Sequence, residues 1–420
     1  MKYAHLADAH LGSWRDLKMR EVATQSFLKT IDDCIEKKVD FILFTGDLFN
    51  TSLPALDILK VITKKLKELN QKDIPFYAIA GSHDFSPSGK TMIDVLENAG
   101  LLINVCKGSV DEETKKLNLK FTIDERTGIK ITGMLGKKGM LDRVYYESLN
   151  LEHLEKEEGY KIFLFHTTLT ELKPKHLAQI ESQPSSFLPR NFNYYAGGHI
   201  HHPTKVEQEN FGIFTYPGAL FPNNFAELEK YGRGNYYLVE VGGFNENNHS
   251  LNQTVELIPI KVKEHYPINI DCSHKTPEVI AFDILDEVND KDIADFLVTI
   301  RLTGTLDKGR TSDIDFKQVF NQLYKKGAYF VMKNTSQLQS EEFEEIKLNT
   351  SSPEEIEEEI IKEHLQQIKL FDQEKELSLT KNILHSLNTE KKEGETISDF
   401  QRRIKEEMDH VLELGEEMRD

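Results

Sequence analysis

Gly197 to Pro203 read GGHIHHP, three histidines within four positions behind two glycines. One histidine at a strand end is ordinary. Three together ask for a ligand, and imidazoles at that density ask for a metal. A single cluster cannot close such a site, so partners must come from elsewhere in the chain. The candidates are Asp8-Ala9-His10, Gly46-Asp47-Leu48-Phe49-Asn50, Gly81-Ser82-His83-Asp84, His166, and Gly198-His199-Ile200-His201. Each follows a strand-like run: YAHLA, FILFT, FYAIA, IFLF and YYAG. In open α/β sheets, ligands gather at those carboxyl ends. Side chains two residues apart on an extended chain point the same way, which pairs Asp8 with His10 and His199 with His201. The glycines ahead of Asp47, His83 and His199 allow tight turns beside a bound ion. Mixed imidazole and carboxylate donors suit manganese, iron or zinc and not calcium. Two aspartates and four histidines exceed what one four-coordinate ion with an open position needs. They fit two ions roughly 3.5–4 Å apart that share a carboxylate. Such a pair clamps a phosphoryl oxygen and ionises a water, and His83 can then protonate the leaving oxygen.

Taken singly, DxH and a GD after a strand are weak signals, while GSHD and GHxH are moderate. The ordered set, every member following a strand, carries the reading. His5, His153, His176, His249, His265, His274, His364, His385 and His410 read as surface or core. His202 falls on the opposite face from His201 if the strand continues.

The elements that must position these groups alternate strand and helix. Strands are expected at YAHLAD, VDFILFTGD, IPFYAIAGSHD, GIKITGML, YKIFLFHTTL, NYYAGGHIH, GIFTYPGAL and NYYLVEV. Met19 to Lys38 and Leu56 to Leu69 carry apolar residues at helical spacing. Strand–helix–strand alternation implies a parallel α/β sheet, and the shorter links after Gly128 imply a second, more mixed one. GGFNENNHSLN reads as a break. A β/α module of about 80 residues follows, with strand-like VELIPIKVK and PEVIAFDIL, helix-like NDKDIADFL, strand-like VTIRLTGTL, helix-like DFKQVFNQLYKKG and strand-like AYFVMK. The resulting division is 1–245 for the domain that carries the clusters, 255–335 for the module, 336–350 for a linker and 351–420 for a helical tail. In the tail, Ser352 and Ser398 each start a capping-box pattern. Ile356, Ile360, Ile361, Leu365 and Ile368 form one apolar stripe, and Phe400, Ile404, Met408, Val411 and Leu412 a second.

The net charge of −18 is unevenly spread. Residues 341–420 hold 24 acidic and 11 basic side chains, a net of −13, which leaves −5 on residues 1–340. The body is therefore only mildly acidic, and bound divalent cations offset part of that. A polyanionic substrate is neither excluded nor suggested by charge. Cys34, Cys106 and Cys272 are far apart and lack CxxC spacing, which favours a reducing compartment and excludes a thiolate zinc site. No apolar run is long enough for a transmembrane helix, and MKYAHLADAHLG has no signal-peptide core, so a cytoplasmic location is expected, nucleoid-associated in a prokaryote.

The ordered set DxH…GDxx(N/D)…G(N)H(D/E)…H…GHxH is similar to the calcineurin-like metallophosphoesterase signature. MKYAHLADAHLG, VDFILFTGDLFN, AIAGSHDFSPSG, YYAGGHIHHP and YPGAL resemble, more narrowly, the SbcD-type nucleases of double-strand-break repair. The resemblance is dense over residues 1–240 and looser through 255–335, which looks like that family's DNA-capping domain. It implies a four-layer αββα sandwich, an α/β fold with a small α/β capping domain and C-terminal helices. One manganese would be held by Asp8, His10, Asp47 and His201, and a second by Asp47, Ser82, His166 and His199, with Asp47 bridging and His83 catalytic. The implied activities are exonuclease on duplex ends and endonuclease on single strands or hairpins. The implied partners are DNA, an SMC-like coiled-coil ABC ATPase at the tail helices, and a second copy of the chain through helices near 55–69 and 90–99. Where the family's third motif has asparagine, this chain has Ser82; a hydroxyl is a poorer ligand than an amide carbonyl, so a weaker second site is expected. Asn50 stands where related proteins often have aspartate or histidine, which bears on how substrate is held. Ser86 to Lys90, with Lys90, and the loop of Lys137, Lys138 and Arg143 are candidate phosphate contacts or solvated faces. The alternatives are a phosphodiesterase for a small substrate and a DNA-end tethering scaffold with an impaired metal site.

Overall fold

Successive side chains of a strand face opposite ways, and in this chain both faces of the short strands are apolar. The structure, a computed structural model, describes residues 1–86, 89–177, 179–245, 250–340, 361, 372–389, 391–392 and 395–412. The chain divides into two units, residues 1–340 and 341–420.

In the first unit, β1 (Lys2–Leu6), β2 (Phe41–Thr45) and β3 (Phe76–Ile79) are parallel neighbours joined by α1 (Leu17–Glu36) and α2 (Leu56–Gln71). After α3 (Met92–Asn98), β4 (Ile103–Asn104) adds one more parallel strand. A small ribbon of β5 (Gly108–Val110) and β6 (Leu117–Leu119) stands apart. The second sheet is built from β7 (Thr122–Ile123), β8 (Lys130–Met134), β9 (Lys161–His166), β10 (Tyr194–Gly198), β11 (Thr204–Glu207) and β12 (Ile213–Tyr216). The short helices α4 (Arg143–Glu147) and α5 (Leu151–Glu155) lie between β8 and β9 in the chain. After α6 (Phe225–Tyr231), the chain returns to the first sheet as β13 (Gly234–Asn245), antiparallel to β1, with β14 (Ser250–Ile260) beside it. The sheet orders are β14-β13-β1-β2-β3-β4 and β11-β12-β10-β9-β8-β7.

Three cores follow from the alternation. Tyr3, Phe41, Leu43 and Ile79 meet Ile131, Ile162, Leu164 and Tyr194 between the two sheets. Ala4, Leu6, Ile42 and Phe44 face the other way, onto Phe27 and Ile31 of α1 and Ile62 and Leu66 of α2. Phe163, Phe165 and Tyr195 face outward from the second sheet, onto Tyr146 of α4 and Leu154 of α5. Helix, sheet, sheet and helix make the expected four layers, although α4 and α5 are only five residues each. Fully burying a side chain such as Ile62 or Leu66 contributes about 1.5–3 kcal/mol, so these faces fix the sheets firmly beneath the loops that carry the chemistry.

Residues 265–340 form a parallel sheet of β15 (His265–Asp271), β16 (Leu297–Leu306) and β17 (Phe330–Ser340). Its crossover helices are α7 (Pro277–Asp286) and α8 (Phe316–Lys325), over a separate core. Four expectations change here. PEVIAFDIL is helix α7 and not a strand: Pro277 suits the first turn, Ile280 and Ile284 are buried one turn apart, and Val279 and Phe282 face out. NDKDIADFL is a turn-rich connection running into β16, with Asp295 in the left-handed region at φ 67°. The first half of VELIPIKVK completes β14, so the first sheet runs on past residue 245 to Ile260. Gln337 to Ser340, expected in a linker from 336, still pair with β16, and residues 341–350 of that expected linker lie outside the described residues.

In the second unit, helices Gln373–Leu387 and Ile397–Val411 pack on one another. The latter is capped by Thr396, whose Oγ1 accepts from Asp399 N at 3.2 Å, and not by Ser398 as the sequence suggested. The helix expected after Ser352 lies outside the described residues, apart from Ile361. Among the described residues, no helix is long and apolar enough to cross a membrane.

Candidate metal centre

The loops after β1 and β2 run side by side. Asp8 N donates to Gly46 O (3.1 Å), His10 N to Asp47 O (2.9 Å) and Leu11 N to Leu48 O (3.1 Å). Asp8, His10, Asp47 and His199 all have positive φ, at 51°, 39°, 55° and 85°. Such backbone costs on the order of 1–3 kcal/mol per residue and persists where the surroundings over-determine it. Here the sheets below and the paired loops beside it do so. Gly198 has to be glycine, because a Cβ there would stand 1.9 Å from Thr45 O. That close approach brings the end of β10, with His199 and His201, up to the end of β2.

Asp47 lies between two groups of donors. Its Oδ2 is 3.6 Å from His10 Nε2 and 3.2 Å from His166 Nε2. Asp8 Oδ1 is 3.8 Å from both His10 Nε2 and His201 Nε2. Donor atoms of Asp8, His10 and His201 converge within 4.8 Å of one another, as do those of Asp8, Asp47 and His166, and of His10, Asp47 and His83. Ligands about 2.0–2.2 Å from one ion lie within such separations. The ring nitrogens His10 Nε2 and His166 Nε2 are buried and both face Asp47 Oδ2, His10 Nε2 beyond hydrogen-bond reach and His166 Nε2 at ion-pair distance. Two buried imidazole nitrogens converging on one carboxylate fit a divalent cation, the donor set such an ion takes.

The opposite nitrogens are fixed. His166 Nδ1 meets the Thr45 carbonyl at 2.7 Å, and His201 Nδ1 meets Glu227 Oε1 at 3.0 Å. Such partners set tautomer and aim in metal-bound imidazoles. Burial alone would lower His166, but the Asp47 and Asp8 charges raise it to about 9. Burial likewise opposes, and Asp8 and Glu227 outweigh it, in raising His201 to about 10. Burial would raise Asp47, but the charges of His166 and His10 hold it well below the usual carboxylate range. Without an ion, protons on His166 and His201 supply the positive charge this cluster needs.

His83 sits at the cleft with its backbone N donating to Asp47 Oδ1 (2.7 Å) and its Nδ1 against Asn50 O (2.9 Å). The carbonyl accepts from Nδ1–H, which leaves the ring lone pair on Nε2. Asn50 meets His83 through its backbone carbonyl. Ser82 Oγ donates to Asp47 Oδ2 at 3.3 Å. His199 packs against the His166 ring with centroids 5.2 Å apart and is open to solvent; it belongs to none of the three converging groups.

The expected phosphate contacts are less concentrated. Lys90 is exposed and closes a turn with Ser86, whose Oγ donates to Lys90 O at 2.8 Å; Pro87 and Ser88 of that turn lie outside the described residues. Lys137 Nζ donates to Tyr145 Oη at 3.0 Å and lies over the ring of Phe85, two residues after His83. Arg143 pairs with Glu147 at 2.9 Å. His202 Nδ1 is 3.2 Å from Tyr231 Oη and lines a cavity of about 420 Å³ with His199 and His201.

Sequence reasoning missed Glu227, the Thr45 carbonyl and Asp84. Asp84 is fully buried and accepts from Gly81 N (2.8 Å) and Asp47 N (2.9 Å), which pins the two ligand loops together. Burial and the Asp47 charge raise its pKa to about 7. The D of GSHD was the available signal for Asp84. For Glu227, 26 residues from His201, no local signal exists.

Residues 1–203 match the calcineurin-like phosphoesterase family. The chain is 30% identical over 254 residues to a DNA double-strand break repair protein Mre11 from Methanococcus maripaludis, covering 58% of this chain and 64% of that protein. It is 26% identical over 334 residues to the Mre11 protein of Archaeoglobus fulgidus, covering 76% and 72%. It is 27% identical over 276 residues to the SbcD component of the nuclease SbcCD from Staphylococcus epidermidis, covering 62% and 70%. The chain thus spans less than two thirds of the Methanococcus protein.

Proposed function

We propose that this chain, whose residues 1–203 form a calcineurin-like phosphoesterase domain, is a manganese-dependent DNA nuclease of double-strand-break repair. One observation carries the metal reading: the buried Nε2 atoms of His10 and His166 converge on the same Asp47 Oδ2. Asp8, His10, Asp47 and His201 would hold one ion, and Asp47, Ser82, His166 and His199 the other. When bound, two such ions polarise a phosphodiester and generate a hydroxide nucleophile. The chain's own groups do the rest. Asp47 fixes the backbone of His83, Asn50 O fixes its tautomer, and His83 Nε2 delivers a proton to the departing oxygen. The loops around Asp8 and Asp47 place these groups on one rigid floor, so binding and proton transfer share a common frame.

The DNA substrate rests on similarity to the Mre11 and SbcD proteins, and Lys137 beside Phe85 is the cation best placed to meet a strand near His83. An ATPase partner at the paired tail helices rests on the same similarity. A homodimer through the region of α2 and α3 is favoured by the exposed Leu53, Leu56, Val61 and Val95. The test is cleavage of linear duplex DNA with manganese, compared with a small chromogenic phosphodiester. Preference for DNA supports the nuclease reading. Turnover of the small diester alone would replace it with a small-substrate phosphodiesterase, and end-bridging without cleavage would replace it with a scaffold.

A further inference from the structure

Helix α6 is only seven residues long, yet it touches the candidate metal centre on one side and the small sheet on the other. The cause is helical periodicity. Residues two apart on a helix project about 200° from one another, so Glu227 and Glu229 leave opposite faces. Glu227 meets His201 Nδ1 at 3.0 Å through Oε1, and the same carboxylate accepts from Asn223 N (2.9 Å) and Asn224 Nδ2 (2.8 Å). Glu229 receives the guanidinium of Arg301, with Nε 2.7 and 2.8 Å from its two oxygens and Nη2 2.6 Å from Oε2. The Arg301 guanidinium also lies over the ring of Phe225, one turn before Glu229, at 5.3 Å. Arg301 is on β16, the central strand of the small sheet, where its register against β17 shifts. Leu228, between the two glutamates, is buried with Met19, Val22 and Ala23 of α1 and Leu297 of β16. The helix is thus fixed at Phe225, Glu227, Leu228 and Glu229, four of its seven residues.

We infer that α6 is a strut through which the small sheet sets the aim of His201: Glu227 is a positioning residue for that ligand, and the Arg301–Glu229–Phe225 clamp ties it to β16. A shift of the small sheet then changes how tightly one of the two ions is held, with no contact between that sheet and the ion. This rests on the reading of His201 as a metal ligand.

The test uses the full chain, stripped with a chelator and titrated with manganese while free ion is counted by electron paramagnetic resonance, with no DNA present. Glu227→Ala is expected to weaken one ion about 10–100-fold and leave the other unchanged, the usual cost of losing a group that orients a ligand imidazole. Glu227→Gln, whose amide oxygen can still accept from Nδ1–H, restores part of that loss and serves where the alanine variant does not fold. Arg301→Ala weakens the same ion by roughly threefold or more, with Arg301→Lys in between because it lacks the planar fork. The control is Val319→Ala, which opens a cavity in the core of the small sheet away from α6: it lowers the melting temperature and leaves both affinities in place. The inference is overturned if folded Arg301→Ala binds both ions like the native chain, or if Val319→Ala weakens manganese as much as Arg301→Ala does. A native chain that takes up no manganese overturns the metal reading itself and this inference with it.

Discussion

The two halves of the candidate metal centre are built to different tolerances. Around Asp8, His10 and His201, two of the three donors are anchored: Asp8 accepts from His199 N at 3.1 and 3.0 Å, and His201 is backed by Glu227. Around Ser82, His166 and His199, only His166 has that support, from Thr45 O. Ser82 directs its hydroxyl proton at Asp47, and His199 stands open to solvent. One half is held at two of its donors and the other at one. Preorganisation is what makes a ligand set bind tightly, since less order remains to be imposed when the ion arrives. An asymmetric pair of affinities is therefore expected, with the Asp8 half filled first.

The largest break of this comparison is Asp47→Asn, which removes the charge both halves share. Manganese content should fall below one ion per chain. Cleavage should drop about 10³-fold or more, the equivalent of several kcal/mol of lost transition-state stabilisation. Retention of two ions, read by metal analysis, would show that Asp47 does not bridge. Next comes His83→Ala, which leaves the donors of both halves intact. Its turnover should fall about 10²–10⁴-fold, the usual share of a positioned proton donor, with metal content unchanged. A matching loss of metal would move His83 from proton transfer into ligation. A smaller effect is expected of Ser82→Asn. Exchanging the hydroxyl for an amide carbonyl should tighten the weaker ion roughly tenfold, about 1.4 kcal/mol, and bring the two affinities together. Isothermal titration with manganese reads this directly, and an unchanged pair of affinities would place the asymmetry elsewhere, in exposed His199.

Much of this was legible in the sequence because it is local. Strand, small turn, then donor is a short-range pattern, and Asp8, His10, Asp47, His83, His166 and His201 do end up at the carboxyl ends of β1, β2, β3, β9 and β10. The positive φ of Asp8, His10 and Asp47 was not legible, since no glycine marks those positions. Neither were Glu227 and the Thr45 carbonyl, which reach their histidines across 26 and 121 residues of chain. The miss at α7 has another cause. PEVIAFDIL is apolar enough to read as a buried strand, and short apolar runs do not declare their period; its proline at the first turn was the better guide. The asparagine- and glycine-rich stretch read as a break is flanked by strand pairing, Phe244 with Leu251 and Asn245 with Ser250, because its ends are taken up by β13 and β14.

The smallest expected effect is counted in protons. Without an ion, His166 and His201 hold protons up to about 9 and about 10, one in each half of the centre. A cation can use these nitrogens only after the protons leave, so metal binding and deprotonation are linked. Below pH 9 each half should release one proton as it fills, and each affinity should rise about tenfold per pH unit. Above pH 10 both dependences should vanish, because the imidazoles are already neutral. Manganese titration in weak buffer with a pH indicator measures the release, and the two filling steps separate the halves. The histidine backed by Glu227 keeps its proton to higher pH, so the Asp8 half should show its pH dependence over the wider range. The reverse order would mean that Asp8 and Glu227 together do less for His201 than Asp47 and Asp8 do for His166, and the contrast between the two halves would lose its electrostatic basis.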